Sequence, residues 1–515
     1  MSGTDPTVYK AGNERRQEHE RRLFLVQIQI LKNKINCVKL YVIIRRENMV
    51  FSSAIFLFGF LPLLLGLYFL AKDKFRNYIL LVFSLIFYGF GGPKLLVMMI
   101  AIVMLDYIAA ILLDKYKSNK IRKLVIILTV ALNIGTLFYF KYMGFTVSVI
   151  NRLVSLSIPI PNIILPIGIS FYTFQAMSYV IDVYRKEVSA NKNPFNVLLY
   201  VSMFPQLVAG PIVRYKTVAE EIEKRKVTLD EFALGLERFI FGLTKKLVIA
   251  NNTGKLADTI FEADVLATPL AWLAAVAYAL QIYFDFSAYS DMAIGLGKMF
   301  GFNFEENFNY PYISKTVTEF WRRWHISLST WFRDYVYIPL GGNRKGIKRQ
   351  MLNLFIVWSL TGIWHGAATN FLLWGLYYFT FLVLEKFVLK KVLDKLPKWI
   401  GHVYTLLVVL IGWVLFRAEG LTECVRMLKA LFVPHMTELA TQQLGIYLES
   451  YGVYLGLGIL LSIPVFPKIN DWIQTKFKEN TLIKIMYYVF VLGVFALGVI
   501  FLSQATYNPF IYFRF

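Results

Sequence analysis

Phe320-Trp-Arg-Arg-Trp-His-Ile-Ser-Leu-Ser-Thr-Trp-Phe-Arg-Asp334 packs three tryptophans, two phenylalanines, three arginines and a histidine into fifteen residues. The run is too polar to face lipid and too aromatic to lie free in water. Its surroundings, Asn303 to Arg344, carry Pro311, Pro339 and Gly341-Gly342 as helix breakers. Broken backbone at bilayer depth survives only where protein or a water-filled cavity satisfies its amides. Residues 303–345 therefore read as short helices re-entering a membrane, and the rest of the chain must supply that membrane domain.

It does. Hydrophobic residues make up 57% of the 515 and charged residues 17%, against about 25% charged in a soluble protein. Apolar runs recur from Val50–Leu70 to Ile485–Leu502. Because roughly 20 apolar residues span a bilayer and several runs are shorter, about eleven transmembrane helices with re-entrant and in-plane pieces are expected. The fold class is an all-α polytopic membrane protein, with one membrane domain over residues 49–515. The net charge of +22 sits mostly in short loops such as Lys115–Lys123 and Asn343–Arg349. That is the pattern of cytoplasmic loops facing anionic lipid, and it argues against nucleic acid. Cys37 and Cys424 have no metal-ligand spacing, and neither a metal site nor a disulfide framework is expected. Residues 1–48, with ten Lys/Arg and five Asp/Glu, lack the apolar core of a signal peptide. They read as a peripheral cytoplasmic extension, or as residues upstream of a start at Met49.

Polar groups inside the apolar runs mark the interior. Asp106 is alone in its span and reads as a helix–helix hydrogen-bonding group. Ser170, Tyr172, Thr173 and Gln175 enter one span, and Phe204-Pro-Gln-Leu-Val-Ala-Gly-Pro211 must break another. Lys216–Ala233 reads as one amphipathic interfacial helix with Thr228 as a cap, and Leu421–Leu431 as a second in-plane segment. Gln281–Gly297 holds Asp285 and Asp291, six positions apart and so on different helix faces. Lipid-facing carboxylates are costly, so both should point inward, with Arg322, Arg323 and Arg333 as expected partners. Those arginines could also meet an anionic, phosphate-bearing thioester substrate. Trp321, Trp324 and Trp331 could wall its pocket, or anchor the interface.

Five histidines occur. His402 and His435 read as surface residues, but His325 lies in the opening run and His365 in Leu360-Thr-Gly-Ile-Trp-His-Gly-Ala367. An imidazole in a sealed pocket is suited to take a proton from a hydroxyl; beside a thioester, that is acyl transfer. No Gly-x-Ser-x-Gly elbow, dinucleotide turn or metalloprotease spacing competes with this.

Phe320–Asp334, Tyr335-Val-Tyr-Ile-Pro-Leu-Gly-Gly-Asn343 and Ile363-Trp-His-Gly-Ala367 together closely resemble the membrane-bound O-acyltransferase family, in its branch that acetylates alginate and other polysaccharides. The resemblance runs from about Met49 to Phe515. It implies a ring of helices around a central funnel or tunnel. It also implies His365 as general base, and His325 as a second, more cytoplasmic histidine that positions the thioester. Acetyl-coenzyme A, or another acyl-coenzyme A or acyl-carrier thioester, would be the donor, with no bound cofactor. Arg322, Arg323, Arg333, Asp285, Asp291, Trp324 and Asn343 are the candidates for substrate contact. The ending Tyr507-Asn-Pro-Phe-Ile-Tyr-Phe-Arg-Phe515 resembles the terminal motif of polymer-acylating systems. Tyr512 would then carry the acyl group to an extracytoplasmic SGNH-type serine acyltransferase that modifies the polysaccharide, although an aromatic interface anchor is the plainer reading. Two alternatives stay open. One is the same chemistry on a teichoic-acid-like polymer, a lipid or a protein; the other is a non-catalytic transporter, for which paired broken helices in repeated halves would be expected and no repeat is visible.

Overall fold

The computed structural model describes residues 49–208, 210–263, 266–477, 480–504 and 507–511; the notional extension 1–48 and Tyr512 lie outside them. The described residues are helical with no strand beyond a single bridge, Phe308 to Trp324. In chain order the helices are α1 (Leu61–Leu70), α2 (Asp73–Gly89), α3 (Pro93–Lys115), α4 (Asn119–Val154), α5 (Ile169–Arg185), α6 (Pro194–Ser202), α7 (Tyr215–Glu223), α8 (Leu229–Thr244), α9 (Asn251–Phe261) and α10 (Thr268–Met299). There follow α11 (Val317–Arg323), α12 (Ile326–Phe332), α13 (Ile347–His365), α14 (Thr369–Leu384), α15 (Lys398–Arg417), α16 (Leu421–Phe432), α17 (Glu438–Leu461), α18 (Val465–Lys476) and α19 (Thr481–Gln504).

Among the described residues seven helices are long and apolar enough to cross a membrane: α3, α4, α10, α14 with its extension to Leu393, α15, α17 and α19. The expected number was about eleven. The difference lies in shorter elements, such as Phe56–Leu70 and the 17-residue α5, whose Ser170, Thr173 and Gln175 are buried.

Burial sorts the spans. The most apolar window of α10 is 83% buried, against 11% for α17 and for α19. So α10 is the central post, and α3, α4, α17 and α19 show bare leucine, isoleucine and valine outward. The post is gripped by α8 through small residues. A Cβ on Gly235 would lie 2.6 Å from the Gly295 carbonyl, and one on Gly242 2.8 Å from that of Ala288. In lipid, such close backbone approach replaces the hydrophobic drive that water would give.

Two expectations change. The amphipathic segment 216–233 is two helices: α7 ends at Glu223, and α8 starts at Leu229 behind a complete Thr228–Glu231 capping box. Arg225 pulls the chain out of helix between them, bonding the Phe300 carbonyl at 2.8 Å and Asn77 at 2.7 Å. Asp285 and Asp291 do not meet Arg322, Arg323 or Arg333. Both lie on α10, where Asp285 pairs with Lys246 at 2.7 Å and Asp291 with Arg238 at 2.9 Å and with Lys245. The π-helical turn Lys245–Ala250 after α8 brings those lysines to α10, closer than any arginine of the 320s. Asp106 accepts from Asn133 of α4 at 2.7 Å, as its reading required.

Candidate active site

The region 303–345 breaks where its sequence demands. α11 ends at Arg323, Trp324 is extended, and His325 takes φ 45° and ψ 55° before α12 begins. A left-handed non-glycine backbone carries a cost of order 1–3 kcal/mol and persists only when its surroundings enforce it. Here the segment 307–309 does so: the Asn309 amide donates to the Arg323 carbonyl at 2.9 Å and the Ile326 amide to that of Asn307 at 3.0 Å.

Asn307 also sets the histidine's proton. Its Oδ1 accepts from the Ser327 amide at 3.2 Å and the Ser327 hydroxyl at 2.8 Å, which fixes that atom as oxygen. His325 Nδ1 lies 3.1 Å from the same oxygen, so Nδ1 carries the hydrogen and Nε2 the lone pair. The imidazole packs edge-on against Phe286 of α10 at 4.6 Å.

The start of α11 is held from another helix. Glu385, buried after α14, accepts from the Val317 amide at 2.5 Å, the Thr318 amide at 2.9 Å and the Thr318 hydroxyl at 2.7 Å. Thr316 satisfies the third amide, that of Glu319, at 3.0 Å. A carboxylate over free helix amides is favoured by both hydrogen bonding and the helix dipole. Glu385→Leu should cost about 1–3 kcal/mol, because buried amides lose their acceptor. Thermal unfolding in detergent checks this; an unshifted midpoint would mean that the cap is idle.

His365 is the last residue of α13, and only 5% of it is exposed. Its ring stands edge-on to Trp374 at 5.0 Å and Phe416 at 5.1 Å. The α13–α14 hairpin closes tightly at its glycines: a Cβ on Gly362 would strike the Phe371 carbonyl, and one on Gly375 that of Trp358. The free carbonyls at the end of α13 go to α4, where Lys141 Nζ donates to Trp364 O at 2.6 Å and His365 O at 3.3 Å, and Tyr142 to Ile363 O at 2.9 Å. A cation at a helix C-terminus is well placed.

The two histidines meet in one cavity of about 240 Å³, whose lining includes Arg322, Trp324, His325, Arg333 and His365. Arg322 and Arg333 are exposed, and the histidines are buried. The chamber thus has a cationic mouth and an imidazole interior. His365 also borders a second, smaller cavity of about 90 Å³ with Lys141 and Ser170, and it is the one residue common to both linings. At the mouth Asp334 takes Arg333 at 2.7 Å and Arg214 at 2.7 Å. Burial opposes ionisation of Asp334, but the Arg333 hydrogen bond and both guanidinium charges outweigh it and hold its carboxyl below the ordinary range.

Of the other candidates, Arg323 turns away to Glu319 at 3.0 Å and the Asn309 carbonyl, and Asn343 is an exposed turn residue. Asp285 and Asp291 lie outside the chamber. Trp321 lines it, whereas Trp331 stacks on Phe174 at 3.8 Å and locks α12 to α5. His402 bonds the Ser314 carbonyl at 3.1 Å. Sequence reasoning missed Asn307, Lys141, Lys246 and Glu385. A lysine well inside the apolar part of α4, far from Lys120 and Lys123 at its start, was the available signal for Lys141.

Asp285 and Lys246 instead meet the chain's end. Lys246 donates to the Pro509 carbonyl, and Asp285 Oδ2 accepts from the Ile511 amide at 2.7 Å. Tyr507 donates to Asp258 at 2.6 Å and Asn508 to the Ser52 carbonyl at 3.0 Å. Phe510 and Ile511 are buried.

Comparison with known proteins gives the chain's family. The model of the membrane-bound O-acyltransferase family, MBOAT, matches residues 95–422. The probable alginate O-acetylase AlgI of Pseudomonas aeruginosa is 44% identical over 75% of this chain and 75% of its own length. A peptidoglycan O-acetyltransferase of Helicobacter pylori is 34% identical over 76% of this chain and 81% of its own. A teichoic acid D-alanyltransferase of Bacillus subtilis is 32% identical over 47% and 64%. With seven apolar helices among the described residues and these bacterial relatives, the chain is a multi-pass protein of the cell membrane, an O-acyltransferase that belongs to the membrane-bound O-acyltransferase family.

Proposed function

We propose that the chain moves an acetyl group from a cytoplasmic thioester, acetyl-coenzyme A in the first instance, toward O-acetylation of a cell-surface or secreted polysaccharide. The observation that carries this is the shared chamber, with Arg322 and Arg333 at its mouth and His325 and His365 inside. Guanidinium groups suit the phosphates of a coenzyme, and a chamber of about 240 Å³ suits a short acyl arm. His365 takes the proton of the accepting hydroxyl, whose oxygen attacks the thioester carbonyl. The C–S bond breaks, and the thiolate leaves with the proton that His365 returns. His325, whose Nε2 lone pair can accept from an amide N–H of the coenzyme's arm, orients the thioester. The acetylation of alginate and of peptidoglycan by relatives favours a polysaccharide acceptor. Similarity to a teichoic acid alanyltransferase favours, as second reading, another envelope polymer.

Tyr512 is our candidate first acceptor, passing the acetyl ester to an extracytoplasmic SGNH-type serine transferase. What supports it is the seat of the preceding residues, Tyr507 to Ile511, which ends on Asp285, next in sequence to the Phe286 that touches His325. Tyr512→Phe should lower polymer acetylation by about 10²-fold or more, since no hydroxyl remains to be acylated. Radiolabelled acetyl-coenzyme A supplied to proteoliposomes with the partner transferase reads this, and full transfer by the variant would remove the relay.

A further inference from the structure

We infer that the buried Lys246–Asp285 pair is a clamp that sets the register of the chain's own C-terminal segment. The two side chains are 5% and 2% exposed and lie 2.7 Å apart. A buried ion pair is a weak source of stability, because desolvation consumes most of its attraction. Both members here have hydrogen-bonding capacity beyond each other, and both direct it to the tail. Lys246 takes the Pro509 carbonyl, besides Asn251 Oδ1 at 2.8 Å. Asp285 takes the Ile511 amide with the oxygen that Lys246 does not hold.

The grip is on main-chain groups two residues apart, so it reads position along the chain rather than side-chain type. Proline at 509 fits this reading, because only its carbonyl is used. Side chains then exclude a slip by one residue. Asn508 fits between Ser52 at 3.0 Å and Asn251 at 3.3 Å, and the Phe510 ring lies 4.6 Å from that of Tyr289. Asp258, which takes Tyr507, is itself held by Arg417 at 2.8 Å. An apolar stub needs none of this to stay in a membrane protein; a segment whose next residue must start from one point does. In that last respect the inference rests on the Tyr512 relay, and Lys246 and Asp285 are then its positioning residues.

The test separates the two. In full-length protein with Cys37→Ala and Cys424→Ala, cysteines replace Ser52 and Asn508 and are joined by a short bifunctional thiol reagent. The double variant Lys246→Met/Asp285→Asn removes both charges together and leaves no lone ion buried. Ile511→Pro leaves the pair intact and deletes the amide hydrogen that Asp285 accepts, along with part of a buried side chain, so it serves if the double variant misfolds. For each, captured tail should fall roughly fivefold or more; without the added cysteines, kcat should fall about tenfold while the thioester KM stays within about twofold, because the donor chamber is untouched. Capture equal to the parent in both variants overturns the clamp, whatever Tyr512→Phe does. Reduced capture with unchanged kcat keeps the clamp and overturns its part in transfer. Full transfer by Tyr512→Phe with reduced capture in the clamp variants overturns the relay alone.

Discussion

His365→Ala should lower acyl transfer by about 10²–10⁴-fold, the usual worth of a positioned general base, and leave the protein folded. The ring borders two existing cavities, so its removal enlarges empty space rather than opening a sealed core. The fold is held around it by the Gly362–Gly375 hairpin and the Lys141 and Tyr142 bonds, none of which uses the imidazole. Transfer measured in proteoliposomes, beside a size-exclusion profile, gives both readings. Activity within about tenfold of the parent would deny His365 the role of base.

Gly295→Leu should have the largest effect on folding. The α8–α10 contact leaves no room for a side chain: a Cβ at 295 would lie 2.5 Å from the Gly235 carbonyl and 2.8 Å from the Phe239 amide. Both obstacles are backbone, so no rotamer change relieves them. Overpacking in a core costs about 1–3 kcal/mol and sometimes more, out of a total stability of about 5–15 kcal/mol. Because α10 also carries Asp285, Phe286 and Tyr289, moving it disturbs the tail and the His325 pocket together. We expect little monodisperse protein after detergent extraction; a yield and melting temperature equal to the parent's would refute the close-crossing argument.

The legible parts of the sequence were those where a single residue type has one physical explanation. Breakers at Pro311, Pro339 and Gly341-Gly342 announced broken helices, and a histidine in apolar sequence announced a chamber. Thr228 with Glu231 announced a helix start. Pairings across the fold were not legible. Asp285 found Lys246 rather than an arginine of the 320s, because a π-helical turn after α8 turns the lysine inward, and periodicity carries no trace of such a turn. Asn307 carried no signal of its own, since its meaning lies in a left-handed residue 18 positions later. Which of the shorter apolar runs cross the membrane was not legible for a related reason: a run such as that of α5 is wrapped by protein, and hydropathy alone cannot tell protein from lipid.

The position of His365 between two cavities bears on something other than catalysis. A membrane that drives its chemistry with ion gradients cannot tolerate an open pore through an enzyme. Here His365 is the one residue that lines both the cationic chamber and the smaller cavity, with its ring set among Trp364, Trp374 and Phe416. On the proposed reading, the side chain that takes the acceptor's proton is therefore also part of the wall between the two cavities. Donor and acceptor would then meet across that one ring, and the side chain that serves the proton transfer would also keep the two cavities apart.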